Sequence, residues 1–497
     1  MTESVETGTG MRGRVLGGIA WKVASQVVLQ GSRVVVAVVI ARLLAPHDYG
    51  LAAMALIFSS LVLVFSDLAL GAAVVQRRSL TEDDRSTVFW TSAGAGLAFT
   101  LAGIAASGPI ASFYGQPHVQ ALFAALSLAF VVTSLGTVQA AVLTRAMDFR
   151  RLELSVMGGN LAGAAVGIAA AVDGLGAWAI ILQQLATAAG CSLLLFVLCP
   201  WRPHLRFSRA SLRSLLGFSA NVFGQRVLYY LHRNTDNLLV GRFLGPAALG
   251  AYGLAYNVML VPFTRIAGPL QEVLFPAFSR LQDDPRRIAD VWIRVTRLVA
   301  ALAMPALVGL AVVAPDFVHV VLGPRWAQAT PVLQILVWVG LLQSLQTLNT
   351  GILIALDRTR LLFRFSIGFF AAHLVAFAVG VQFGIVGVAT GYAISSTLVE
   401  PIFSWLTARG LGISPLEVPR ALAGVAQAAA AMGLSVVVAR ALLVHEGVAP
   451  EVRLLALTLL GAAIFVVGCA WRAPEVADEV RALRRRERRP EPLPAGV

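Results

Sequence analysis

The chain has 497 residues, 58% hydrophobic and 13% charged, with a mean hydropathy of +0.78. A soluble domain carries about a quarter charged residues, so most of this surface faces something other than water. The net charge of +13 does not mark a nucleic-acid groove, because the basic residues sit in short loops between apolar runs, as the positive-inside rule describes.

Those apolar runs recur at roughly 20 residues, the length a helix needs to cross a bilayer. No alternating ten-residue pattern of an outer-membrane barrel accompanies them. The expected fold is an all-α polytopic membrane protein with about fourteen transmembrane helices. The spans fall at approximately 15–44, 51–75, 86–107, 118–142, 154–172, 176–199, 215–240, 247–275, 291–314, 329–355, 362–382, 386–408, 421–443 and 451–471. A polar tail follows from Arg472 to Val497. Cys191 and Cys199 lie about 12 Å apart along one helix, too far for a disulfide. With no CxxC pair and no clustered histidines, neither redox chemistry nor a metal site is expected.

With the N-terminus inside, cytoplasmic segments and the span ends beside them hold 29 of the 39 Lys and Arg residues, and the outside loops with their span ends hold five, Arg42, Arg242, Arg325, Arg440 and Arg453. The remaining five, Lys22, Arg33, Arg226, Arg233 and Arg265, fall deeper within spans. This asymmetry predicts a cytoplasmic (inner) membrane protein with both termini in the cytoplasm.

ARLLAPHDYGL (Ala41 to Leu51) matches GRFLGPAALGA (Gly241 to Ala251) at an offset of 200 residues. Arg42/Arg242, Leu44/Leu244, Pro46/Pro246 and Gly50/Gly250 are identical pairs, and Gly17/Gly217, Ala20/Ala220 and Arg33/Arg233 keep the offset. Six spans separate the copies, so they cross the membrane in the same direction, and an axis along the membrane normal should relate the two halves. The expected organisation is an N-lobe over 1–214 (helices 1–6), a C-lobe over 215–420 (helices 7–12), two further helices over 421–471, and a basic cytoplasmic tail over 472–497.

Charged groups inside spans cost about 2.5–3.5 kcal/mol at a helix centre, so each needs a reason. Lys22, Gln26, Gln30 and Arg33 share one face of span one, and Arg226, Tyr230, Arg233 and Asn237 share one face of span seven. The stripes superimpose under the 200-residue offset and are expected to line a central cavity. Lys22 either belongs to the stripe or snorkels to the membrane surface. Asp236, three residues after Arg233, offers it a local partner, whereas Arg33 has no acid near it in sequence.

Span eight carries Pro262, Arg265, Gly268, Pro269 and Glu272, and its two prolines predict a broken helix that either moves or only packs. Asp67 in span two pairs with an arginine, binds a coupling ion, or forms a static pair; Asp67, Asp236 and Glu272 are the candidates for coupling or gating. Gly159, Gly163 and Gly167 form a close-packing face in span five. His373 reads as a packed polar residue. Val476, Val480 and Leu483 lie at helical spacing among the tail arginines, which suit either an anionic membrane surface or water.

ARLLAPHDYGL, SDLALGAAVVQ (Ser66 to Gln76), RAMDFRRLEL (Arg145 to Leu154), DNLLVGRFLGPAALGAY (Asp236 to Tyr252), VLFPAFSRLQDDPRR (Val273 to Arg287) and LGPRWAQATPVLQIL (Leu322 to Leu336) together resemble one family. It is the polysaccharide flippase family, the O-antigen and exopolysaccharide exporters of the multidrug/oligosaccharidyl-lipid/polysaccharide exporter superfamily. The resemblance covers the chain to about residue 420 and implies two pseudo-symmetric six-helix lobes around a central cavity. It also implies a cargo of polyprenyl-pyrophosphate-linked oligosaccharide moved from the inner to the outer leaflet. A cationic stripe suits a pyrophosphate, to which arginine binds bidentately.

The substrate-binding set expected on this basis is Arg33, Arg233, Arg226, Arg265, Lys22, Gln26, Gln30, Tyr230 and Asn237. No cofactor is expected; coupling to H+ or Na+ stays open. The expected partners are the lipid-linked oligosaccharide, membrane lipids, and glycosyltransferases and a polymerase of the same pathway, with no nucleic acid. A multidrug antiporter should want an acid-lined cavity, and a glycan polymerase or ligase should want a catalytic acid cluster or a large outside loop; the sequence offers neither.

Overall fold

The computed structural model describes residue 26 and residues 29–66, 81–208, 220–264 and 268–487. Among these residues the chain is helical throughout, without a strand. The helices are α1 (29–43), α2 (Pro46–Ser66), α3 (Glu82–Tyr114), α4 (His118–Arg145), α5 (Phe149–Val172), α6 (Trp178–Leu198), α7 (Ala220–Leu244), α8 (Pro246–Pro262) and α9 (Gly268–Arg280). They continue as α10 (Pro285–Phe317), α11 (Ala329–Gln346), α12 (Asn349–Ala355), α13 (Thr359–Gly380), α14 (Gly384–Leu411), α15 (Glu417–His445), α16 (Pro450–Arg472) and α17 (Pro474–Glu487). The chain is an all-α polytopic membrane protein.

The fourteen expected spans map onto α1 to α16. Span ten is divided in two, as α11 with α12, and span eight is covered by α8 and α9, with 265–267 outside the described residues. Residues 263–264 after α8 are π-helical, and the expected break around Arg265 lies outside the described residues. α10 runs 33 residues, about 50 Å at helical rise, well beyond the roughly 30 Å of a bilayer core.

Short caps end the helices and allow tight loops. Thr81 and Asp84 form a reciprocal capping box at the start of α3, while Asp148 and Asp284 cap α5 and α10 through the amides of Arg151 and Arg287. Each satisfies backbone donors that the first helical turn leaves open.

The chain forms two compact units, 1–250 and 251–497. In the first, α5 packs on α6 through the predicted glycine face. A Cβ at Gly159, Gly163 or Gly167 would run into Cys191, Thr187 or Gln183 of α6, so only glycine permits this approach. α3 packs on α4, and α2 lies against α4 and α7. In the second unit α10 is the central element, packed on α11, α15 and α16, while α13 and α14 form a pair.

The sequence repeat has two structural counterparts. α1–α2 and α7–α8 turn alike: Tyr49 N–H bonds the Ala45 carbonyl at 3.1 Å, and Leu249 N–H bonds the Gly245 carbonyl at 3.1 Å. The other counterpart was not visible in the sequence. Met147 and Asp357, at φ 54° and 55°, are the non-glycine residues with left-handed backbone among those described. Asp148 N–H bonds the Leu143 carbonyl at 2.9 Å, and Arg358 N–H bonds the Leu353 carbonyl at 2.8 Å, the same helix-ending pattern before α5 and α13.

The copies of the motif also touch. A Cβ on Gly50 would lie within the Pro246 carbonyl group, and one on Gly250 within the Pro46 carbonyl group. Each proline backbone of one copy thus rests on the glycine of the other. Such reciprocity is what a local two-fold relation produces.

The tail helix α17 packs on α16 and α10. Glu479 lies 3.4 Å from Arg297 and 3.9 Å from Arg294, both on α10. Burial pushes its carboxyl above the usual carboxylate range, against the pull of the two arginines.

Candidate functional site

The polar stripes of α1 and α7 lie in the first unit. On α1 the Gln30 Nε2 is 3.5 Å from the Gln26 Oε1 one turn earlier, so the two amides share the expected face. The Gln30 Oε1 is buried without a hydrogen-bond partner. Arg33 continues the stripe and is exposed. Its guanidinium reaches the Asn160 Oδ1 on α5 at 3.5 Å, a long contact to a neutral amide whose own NH2 is spent on the Val156 carbonyl at 2.8 Å. Among the described residues no carboxylate pairs with Arg33.

On α7, Tyr230 serves the fold as well as the stripe, since its hydroxyl donates to the Ile57 main-chain carbonyl of α2. Arg233 lies one turn on and is half-buried. Asp236 is buried and its Oδ1 accepts from the main-chain amide of Asn237 at 2.8 Å and from its side chain at 3.3 Å. Asn237, expected to face substrate, is therefore tied to its own helix. Tyr114, at the end of α3, packs its ring where a Cβ on Gly241 of α7 would sit 2.8 Å from it, and its hydroxyl is a buried group without a partner.

The structure thus joins Gln26 with Gln30 and Asp236 with Asn237, and takes Arg33 to α5. Lys22, Asp67 and Arg265 lie outside the described residues. Arg226 and Glu272 have their backbone in α7 and α9, and nothing is described of their side chains. Among the described residues no group of His, Cys, Asp and Glu could hold a metal ion.

Two features escaped the sequence reading. Asn160 is a lone polar residue beside the glycine face of span five, and its link to Arg33 crosses 127 positions. In the second unit Asp316, at 2% exposure, accepts from Arg440 Nε at 2.7 Å and Arg453 Nε at 2.8 Å. This clamp fixes α15 and α16 to the end of α10, and it places Arg440 and Arg453, expected in outside loops, within α15 and α16. An aspartate ending an apolar run was its only sequence signal.

Helices of this length and apolarity define a polytopic membrane protein. The family model described as "Polysaccharide biosynthesis protein" matches residues 39–331, more than half of the chain. The chain is 30% identical over 398 residues to the lipopolysaccharide biosynthesis protein WzxC of Escherichia coli (strain K12), covering 80% of this chain and 81% of that protein. It is 29% identical over 355 residues to the teichuronic acid biosynthesis protein TuaB of Bacillus subtilis (strain 168), covering 71% and 73%.

Among solved structures, the lipid II flippase MurJ in an inward closed conformation superimposes with a TM-score of 0.72 at 13% identity, over 92% of this chain and all of that one. An inward-facing multidrug transporter of the MATE family superimposes with a TM-score of 0.59 at 14% identity, over 77% and 94%. The chain belongs to the polysaccharide biosynthesis protein family, and it has the fold of these two transporters.

Proposed function

We propose that this protein flips a polyprenyl-pyrophosphate-linked oligosaccharide, of the kind used as an exopolysaccharide or O-antigen repeat unit, from the inner to the outer leaflet of the cytoplasmic membrane. Transport proceeds by alternating access, with both termini in the cytoplasm, as the basic loops require. The observation that carries the reading is Arg33: an exposed guanidinium on a membrane helix, without a carboxylate partner among the described residues. An arginine kept there without an acid is retained for an anion, and a pyrophosphate offers the planar two-point contact that it makes best. The relatives agree in kind, since WzxC, TuaB and the succinoglycan transport protein ExoT of Rhizobium meliloti (strain 1021) are named for the biosynthesis or transport of surface polysaccharides.

In this reading Arg233 and Arg226 present the equivalent charge from the second copy of the repeat. Gln26, Gln30 and Tyr230 line the path, Lys22 and Arg265 extend it, and Asp67, Asp236 and Glu272 respond to the change of access. A pyrophosphate leaving a negative interior also gains about 2.3 kcal/mol per charge per 100 mV of membrane potential. The test is surface delivery of lipid-linked glycan in cells carrying Arg33→Ala or Arg33→Lys, with membrane abundance measured in parallel. Loss of delivery at normal abundance supports the reading, and delivery at the wild-type rate by Arg33→Ala removes Arg33 from it.

A further inference from the structure

Glu400 is an intramembrane acid to which the flippase reading assigns no task. It lies within α14 at 4% exposure, immediately before Pro401, the proline inside that helix. The polar groups around it are engaged elsewhere. Gln346 of α11 donates to the main-chain carbonyl of Glu400 at 3.0 Å and accepts from Ser404 Oγ at 2.9 Å. One turn before Glu400, Ser396 Oγ is 3.2 Å from His373 Nε2, whose Nδ1 is 2.8 Å from the Phe369 carbonyl. A turn further back, the Tyr392 hydroxyl accepts from Gln343 Nε2 at 2.7 Å.

Among the described residues nothing donates to the Glu400 carboxyl and no cation pairs with it. The facing helices α11 and α12 also leave the Gln343 Oε1 and the Asn349 Oδ1 as buried acceptors without partners. Of the elements packed on α14, α13 brings His373 to this layer, with Arg360 and Arg364 near its start. α11 and α12 bring no ionisable side chain. α10 carries Arg286, Arg287, Asp290, Arg294 and Arg297 in its first turns, and Asp316 at its far end inside the arginine clamp. α14 itself adds Tyr392 and, in its last turn, Arg409.

We propose that Glu400 is a proton-binding site, occupied in this conformation and emptied when its layer opens to water, and that this exchange couples proton movement to transport. An ionised carboxyl removed from water and without partners is strongly unfavourable, and such a group takes up a proton instead. One oxygen suffices for a proton, whereas a bound metal cation needs several oxygens around it, and among the described residues no group of His, Cys, Asp and Glu gathers to hold one. Pro401 supplies the weak point, because its missing N–H leaves the Thr397 carbonyl without its helical partner and lets α14 bend at the site. The chemistry is a carboxylic acid passing its H+ to the water that enters the opened layer and becoming a carboxylate, and taking one back from water on the other side of the cycle.

The coupling half of this inference rests on the flippase reading; the proton-binding half does not. The first experiment therefore uses purified full-length protein in lipid nanodiscs without substrate, followed by infrared difference spectroscopy from mildly acidic to alkaline pH. A carboxylic-acid carbonyl band should be present at neutral pH, persist in Glu446→Gln and be absent from Glu400→Gln. The second experiment measures glycan delivery in cells at matched abundance, with and without a protonophore. Glu400→Gln, which keeps the size of the side chain, should lose delivery, while wild type should lose it only when the proton gradient is collapsed. Absence of a Glu400-dependent band, a band that responds to sodium instead of pH, or wild-type delivery by Glu400→Gln with unchanged response to the protonophore would each overturn the proposal.

Discussion

Arg33 and Asp316 are both charged groups on apolar helices, and the protein treats them in opposite ways. Asp316 is sealed from water and held by two guanidinium groups. Arg33 is exposed and meets only a neutral amide at 3.5 Å. A buried charge whose partners are in place belongs to the architecture, since its attraction is already spent on holding α10, α15 and α16 together. A charge without such a partner keeps its attraction for something that arrives. The contrast separates scaffold from site more sharply than burial or charge alone.

The first way to break this comparison is to remove the aspartate. Asp316→Ala leaves Arg440 and Arg453 without their acid, and losing one partner of a buried pair costs about 3–5 kcal/mol. Membrane abundance and the thermal midpoint of purified protein should both fall steeply. A variant as stable as wild type would show that the clamp is idle and that the contrast with Arg33 is empty.

The second addresses the contact between the motif copies. Gly50→Ala and Gly250→Ala each drive a methyl group into a proline carbonyl and should cost about 1–3 kcal/mol, nearly equally if the contact is reciprocal. Gly31→Ala on α1 meets nothing within 4 Å and should be neutral or slightly stabilising, because glycine weakens a helix interior by about 0.5–1 kcal/mol. Urea or thermal midpoints of the three variants decide it, and a costly Gly31→Ala would sink the packing argument.

The smallest effect is expected at α17. The Glu479 carboxyl is raised by burial, so its protonated form is favoured in the docked tail. Docking should be strongest below the ordinary glutamate range and weaken as pH rises through the raised value. Protease cleavage between α16 and α17 should become modestly faster over that rise, and Glu479→Gln should flatten the dependence. Cleavage insensitive to pH in wild type would contradict the assignment.

Much of this was legible in the sequence. The spans and the glycine face of α5 follow from periodicity and spacing, both local signals. His373 was read as packed, and it is, between Phe369 and Ser396. The partners were not legible, because they depend on which helices meet. Asn160 comes to Arg33, and Arg440 and Arg453 to Asp316, across more than a hundred residues each. Asn237 fits the stripe by its spacing, and its hydrogen bond to Asp236 is a contact that spacing does not reveal. Glu400 was passed over although a lone acid before a proline in an apolar run is itself a signal; its burial in a layer of already engaged amides and hydroxyls could come only from the fold.

The central claim is that Arg33 binds an anion instead of bracing the helices. Its most direct measurement is translocation of a purified polyprenyl-pyrophosphate-linked oligosaccharide into proteoliposomes, comparing wild type, Arg33→Ala and Arg33→Lys at equal incorporation and with thermal midpoints recorded. Both variants should keep the wild-type midpoint, while Arg33→Ala loses translocation and Arg33→Lys recovers only part of it. A lowered midpoint with translocation preserved would contradict the claim and place Arg33 with Asp316 among the residues that hold the protein together.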